Sequence, residues 1–144
     1  MTTIAYNKGV LAFDSRVTSG GVNVGSVVKG KKTRKYLIAA AGSCEDTDAW
    51  MDWMESGGKL EDRKNYGLDK ECDMECVAVD KKGRVFQYGS KCYPYTYKSQ
   101  FLALGSGWAF AMGAMALGAS ASEAVKVAAK FDVATGGSVL ELKW

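Results

Sequence analysis

The chain has no histidine among its 144 residues. That absence excludes an imidazole as general base, proton shuttle or metal ligand. Proline is nearly missing as well: Pro94 stands alone, so there is no proline-rich linker, and no repeat or low-complexity tract interrupts the chain. No apolar run reaches the length of a membrane span, and the N-terminus lacks the basic-then-apolar pattern of a secretory signal. Charge of one sign is not in large excess. A net charge of +3 with dispersed acidic residues gives no polyanion-binding footprint, so even with the basic run Lys29–Lys35 nucleic acid is not an expected partner. Cysteine is limited to Cys44, Cys72, Cys76 and Cys92, irregularly spaced and without paired C-x2-C knuckles. Free thiols in a cytoplasmic protein are therefore expected, with no zinc site, metal or cofactor.

What remains is 47% apolar and 24% charged, enough to bury the core of one soluble domain spanning residues 1–144. Without an imidazole, the most telling residue is Thr2. Met1 precedes a small side chain, the arrangement in which the initiator is most readily trimmed. Trimming leaves Thr2 with a hydroxyl and a free α-amine of unperturbed pKa roughly 7.7–8.0, able to take the proton of its own hydroxyl near neutral pH. A threonine with its own N-terminus is a self-contained nucleophile–base pair.

The residues around it read as alternating hairpins and helices. Thr3–Tyr6 and Val10–Phe13 flank a turn at Asn7-Lys8-Gly9, and Cys76–Asp80 and Arg84–Tyr88 flank one at Lys81-Lys82-Gly83. Tyr36–Ala41, Phe101–Leu104 and Ser138–Leu142 are further strands. Asp46-Thr47-Asp48 is placed to cap a helix that carries Trp50, Met51, Trp53 and Met54 and stops at Gly57-Gly58. Lys59–Glu71 is either loop or a short helix. Trp108–Leu117 is almost wholly apolar, the composition of a helix buried between layers. Ser120-Ala121-Ser122-Glu123 is a capping box opening a helix to about Phe131. Antiparallel hairpins with helix pairs make an α+β layered domain.

Five short motifs occur in one order along nearly the whole chain: Thr2-Thr3-Ile4, Asp14-Ser15-Arg16 continuing through Thr18 and Gly20, a lysine just before a strand, Leu104-Gly105-Ser106-Gly107, and Asp132–Gly137. Together they resemble the proteasome β-subunit and HslV group of N-terminal nucleophile hydrolases, in a small form such as phage genomes carry. The resemblance implies a four-layer αββα sandwich and a threonine endopeptidase acting on unfolded polypeptide. It assigns Thr2 as nucleophile and Lys32 as the buried cation beside it, with Lys31 as the register alternative. A neighbouring cation disfavours the ammonium form of the Thr2 amine by like-charge repulsion. Asp14 is then the partner that keeps the lysine charged and in place.

By the same resemblance, Ser106 and Asp132 hydrogen-bond around the threonine amine, and the Gly42 N–H serves the oxyanion. Thr18, Gly20 and Gly21 pair with an extended peptide as a strand edge does. Val17, Ala40 and Cys44, beside the matched motifs, are small and neutral and are expected to line a pocket with room for an apolar residue before the cut and no strong demand for charge. The helix with Trp50, Met51, Trp53 and Met54, together with Trp144, is expected to hold a homo-oligomer, and an unfoldase ATPase is a further partner the resemblance implies. The rival reading is a catalytically silent binding or assembly module in which Met1 stays in place.

Overall fold

The computed structural model describes residues 2–144; the expected removal of Met1 lies outside the described residues. Six strands come first: β1 (Thr3–Asn7), β2 (Val10–Phe13), β3 (Arg16–Ser19), β4 (Val22–Ser26), β5 (Gly30–Lys32) and β6 (Tyr36–Gly42). Helix α1 (Cys44–Glu55) and a 3-10 helix (Leu60–Tyr66) follow. Next come β7 (Met74–Asp80), β8 (Val85–Tyr88), β9 (Pro94–Tyr95) and β10 (Phe101–Gly105), then α2 (Trp108–Ala116), α3 (Ala121–Phe131) and β11 (Leu140–Leu142). The chain divides into two compact units. One combines the segment up to Lys29 with Lys98–Trp144, and the other is Gly30–Tyr97.

In the first unit the sheet runs β10-β1-β2-β11, antiparallel throughout. The β1–β2 turn has Lys8 at φ 49° and Gly9 at φ 82°. Left-handed backbone at both central residues is the two-residue turn whose twist matches the strands it joins. Ala5 pairs with Ala103 on one side and Ala12 on the other, so one face of the sheet is paved with methyl groups. That flat surface lets α2 and α3 approach closely through Ala111, Met115, Ala124, Val125 and Ala128. Ser120 caps α3 by accepting the Glu123 amide, as the capping box predicts, a contact worth about 1 kcal/mol. β3 and β4 form a separate hairpin turning at Gly20-Gly21, with φ 56° and 79°.

The second unit is a five-stranded antiparallel sheet, β5-β6-β7-β8-β9. Its core joins Ile38, Ala40, Cys76 and Ala78 of the sheet to Trp50, Trp53 and Met54 of α1. Tyr88 meets both indoles edge-on, at 5.2 and 5.9 Å between ring centroids. The helix starts earlier than its acidic cluster suggests. Ser43 is the N-cap, accepting the Asp46 amide, and leaves Asp46 free to accept the Asp73 N–H at 2.8 Å. Of the two readings open for Lys59–Glu71, the short helix is the one found.

Two expectations about apolar helices are reversed. Trp50 and Trp53 are fully buried and Met54 nearly so, all spent on the core of their own unit with Met51 half-buried against it, so these α1 side chains are largely withdrawn from the surface expected to hold an assembly, while Trp144 stays exposed. Helix α2, expected to be buried, leaves Trp108 and Phe110 exposed, as is Leu117 just past its end, because only Ala111 and Met115 of its residues reach the alanine-lined sheet face fully. No helix among the described residues is long and apolar enough to cross a membrane.

Candidate functional site

The site is built within the first unit, where the starts of β1 and β3, the end of β10 and the segment after α3 converge. Thr2 immediately precedes β1 and is almost fully buried. Gly105, at the end of β10, has φ 89°, and a Cβ there would fall 1.9 Å from the Thr2 carbonyl oxygen. Only glycine permits that approach. Gly107 is similarly constrained, since a Cβ would lie 2.1 Å from Thr3 Oγ1.

Asp14, just beyond the end of β2, is wholly buried (0% exposed) and has three donors around its carboxylate. Oδ1 accepts the Thr3 N–H and the Lys29 ammonium, each at 3.0 Å, and Oδ2 accepts the Gly136 N–H at 3.0 Å. Lys29 is itself 6% exposed. A charge pair removed from water in this way stands only while both members and their hydrogen bonds are present. Through the Thr3 amide, the pair is fixed one residue from Thr2.

A second network reaches the Thr2 carbonyl and the Thr3 hydroxyl. Ser106 Oγ donates to Asp132 Oδ2 at 2.6 Å and also lies 3.4 Å from the Thr2 carbonyl oxygen. Thr135 Oγ1 donates to the same Asp132 oxygen at 2.6 Å, while Oδ1 accepts the Ala134 N–H at 3.2 Å. Thr135 has given its only proton to the carboxylate, so in its 2.6 Å contact with Thr3 the Thr3 hydroxyl is the donor. Burial works against ionisation of Asp132, but the Ser106 and Thr135 hydroxyls and the Ala134 amide outweigh it and hold its pKa below the usual carboxylate value. Asp132 is thus an anion that fixes two hydroxyls.

Arg16 ties the networks together. Its Nη1 donates to the carbonyl oxygens of Val133 (3.0 Å) and Thr135 (3.4 Å), and its own amide donates to the Gly136 oxygen at 3.0 Å. A Cβ on Gly136 would meet the guanidinium at 2.4 Å, so this glycine is the space the arginine occupies. Its Nε is buried and finds no hydrogen-bond partner among the described residues.

The sequence-predicted residues fall out unevenly. Thr2, Asp14, Ser106 and Asp132 are brought together in this unit. The lysine is not Lys32. Lys32 is exposed on β5, and Lys31 is bonded to Glu55. The physical reason is β5 itself, a three-residue strand pairing with β6 that the sequence reading did not separate from the basic run. The lysine immediately before that strand is Lys29. Thr135 was also missed, although it lies inside the quoted Asp132–Gly137 motif. Its signal is a hydroxyl three residues after an aspartate, within reach of the same carboxylate.

Other expected positions differ. Ala40 packs into the α1 core, because it falls on the helix-facing side of β6. Cys44 is exposed at the first turn of α1, and Val17 is half-buried on β3. Gly20 and Gly21 make the hairpin turn and offer no extended strand edge; Thr18 alone of the three expected peptide-pairing residues lies in a strand. Gly42 ends β6 at φ 137°, and a Cβ there would come within 2.1 Å of the Asp73 oxygen, so the position accepts glycine alone. No group of His, Cys, Asp or Glu side chains among the described residues is arranged to hold a metal ion.

Comparison with known proteins places the fold. No protein-family model matches the sequence, and no curated protein is similar to it in sequence. Solved structures are similar over nearly the whole chain. The eukaryotic HslV from Trypanosoma brucei superposes with a TM-score of 0.73 at 17% identity, covering 99% of both chains. The Thiobacillus denitrificans BPH in complex with epoxomicin gives 0.70 at 20% identity, covering 98% of this chain and 96% of that one. A second Thiobacillus denitrificans BPH structure gives 0.66 at 21%, covering 98% of this chain and 95% of that one. The fold is α+β and is the one found in these HslV and BPH structures, as the sequence motifs imply.

Proposed function

We propose that the protein is a threonine peptidase of the N-terminal nucleophile type, with Thr2 as the nucleophile once Met1 has been removed. The observation that supports this best is the pair of networks that meet at Thr2 and Thr3: the buried Lys29–Asp14 pair fixed through the Thr3 amide, and the Ser106–Asp132–Thr135 cluster. In this reading the Thr2 α-amine takes the proton of its own hydroxyl as Oγ1 attacks a peptide carbonyl, and later returns it to the leaving amine. The Lys29 charge favours the neutral, proton-accepting amine. The Asp132 carboxylate keeps the Ser106 and Thr135 hydroxyls oriented for proton relay. The Gly42 N–H is the proposed oxyanion donor, and unfolded polypeptide the proposed substrate.

A homo-oligomer in the cytoplasm, served by an unfoldase ATPase, completes the proposal, as does a phage source. The assembly surface is no longer assigned to the α1 tryptophans. The test is an intact-mass measurement of the purified protein followed by a fluorogenic peptide assay. Loss of Met1 with hydrolysis that Thr2→Ala abolishes supports the peptidase. Retention of Met1, or hydrolysis untouched by Thr2→Ala, overturns it in favour of the silent module.

A further inference from the structure

In the second unit, five charged residues line one cavity without neutralising one another. The cavity holds about 360 Å³ and is lined by Arg63, Asp69, Lys70, Glu71 and Lys91. Lys70 pairs outside this set, with Asp46 at 3.7 Å. Among the described residues, the Asp69, Glu71 and Lys91 side chains have neither a hydrogen bond nor an ion pair. Arg63 spends its bonds on carbonyl oxygens instead of on a carboxylate: Nε donates to Leu60 at 3.1 Å and Nη1 to Lys91 at 3.3 Å. Its guanidinium also lies over the Tyr93 ring, 5.2 Å from the centroid.

The walls of the cavity are held in place. The loop carrying Asp69 and Glu71 is tied at both ends, the Leu68 N–H donating to the Arg63 oxygen at 3.0 Å and the Cys72 N–H to the Ser90 oxygen at 2.7 Å. Lys91 stands in a turn closed by the Cys92 N–H on the Gly89 oxygen at 2.9 Å. A site ordered before its ligand arrives loses less freedom on binding. Two cations and two carboxylates without charged partners suit a ligand that carries both signs. Asp69 and Glu71 would repel a simple anion, and Arg63 and Lys91 a simple cation. Three of the five guanidinium N–H groups of Arg63 remain to be used. Taken as equal in its three dimensions, the cavity is about 7 Å across, and two extended residues also span about 7 Å.

We propose that this cavity binds a dipeptide with both ends free, its carboxylate received by Arg63 and Lys91 and its ammonium by Asp69 and Glu71. Short peptides with free ends are what peptide hydrolysis releases, but the site's chemistry is independent of the Thr2 reading. The probe is Ala-Ala, titrated by NMR against isotope-labelled Thr2→Ala protein, in which the candidate nucleophile is absent. Saturable shifts of the Glu71 and Lys91 amides are expected. N-acetyl-Ala-Ala and Ala-Ala-amide, each lacking one end charge, should bind about tenfold more weakly, because a charge-assisted hydrogen bond is lost at that end. Asp69→Asn with Glu71→Gln should make Ala-Ala and its N-acetyl form bind alike, and Lys91→Met should shrink the penalty of amidation. All three side chains are exposed, so these variants keep the fold. Shifts that do not saturate or that fall outside the cavity overturn the proposal. So do blocked peptides that bind as well as Ala-Ala, and penalties that the substitutions leave unchanged. An N-acetyl form that binds as tightly as Ala-Ala while the amide does not makes this a carboxylate site alone and also overturns it. A protein that binds Ala-Ala in this way but hydrolyses nothing when free of Met1 keeps the site and loses only the peptidase reading.

Discussion

Lys29 Nζ lies 3.0 Å from Asp14 Oδ1, and both side chains are withdrawn from solvent. The carboxylate also receives the Thr3 and Gly136 amides, so the pair joins the start of β1 to the segment after α3. Removing either member strands the other as a buried, uncompensated charge. Lys29→Met and Asp14→Ala are each expected to lower unfolding stability by about 3–5 kcal/mol. Lys32→Met, on the exposed strand residue, should stay within about 0.5 kcal/mol. Urea melts of the three variants decide which lysine belongs to the site; equal losses for Lys29 and Lys32 sink the assignment.

Asp132 has its pKa lowered because the Ser106 and Thr135 hydroxyls and the Ala134 amide outweigh the cost of burial. A depressed carboxylate contributes stability above its unfolded pKa of about 3.9, and that contribution is lost as pH falls through the lower folded value. Asp132→Asn should therefore be less stable than the parent protein at pH 7, with the gap closing in acid. Chemical denaturation at pH 7 and near pH 3 measures it. A gap that widens in acid contradicts the hydrogen-bond account.

The Arg16 guanidinium spans two carbonyls and occupies the space beside Gly136. Arg16→Lys keeps the charge but loses the planar fork, so the segment carrying Asp132 and Thr135 loses its clamp. A stability loss of about 1–3 kcal/mol is expected, and under the proposed peptidase function a fall in kcat larger than any rise in KM, since the Asp132 segment is disturbed. A Lys variant with unchanged kcat would remove Arg16 as a positioning residue.

The thiols divide by burial. Cys44 is exposed, whereas Cys72, Cys76 and Cys92 are buried. Burial pushes the Cys92 thiol up to about 11, and the Cys76 and Cys72 thiols upward as well. The thiolate is the reactive form, so all three are held unreactive at neutral pH. Ellman's reagent should titrate one thiol in native protein and four after denaturation; two or more rapid native equivalents would contradict the burial.

The sequence by itself determined the elements whose cause is local. The turns at Lys8-Gly9 and Lys81–Gly83, the Ser120 cap and the strands that carry Ala5, Ala12 and Ala103 follow from backbone preference and local composition. Motif order along the chain likewise led to Thr2, Asp14, Ser106 and Asp132. Tertiary structure decided what depends on distant partners. Nothing within Lys29–Lys35 distinguishes one lysine from another until β5 pairs with β6 and leaves Lys29 facing Asp14. Nothing in the Trp50–Met54 run says whether its indoles meet Tyr88 or solvent, and nothing in the apolar run of α2 says how much of it the sheet covers. Composition states how much apolar surface a helix has; only packing against residues far away in the chain decides which of it remains exposed.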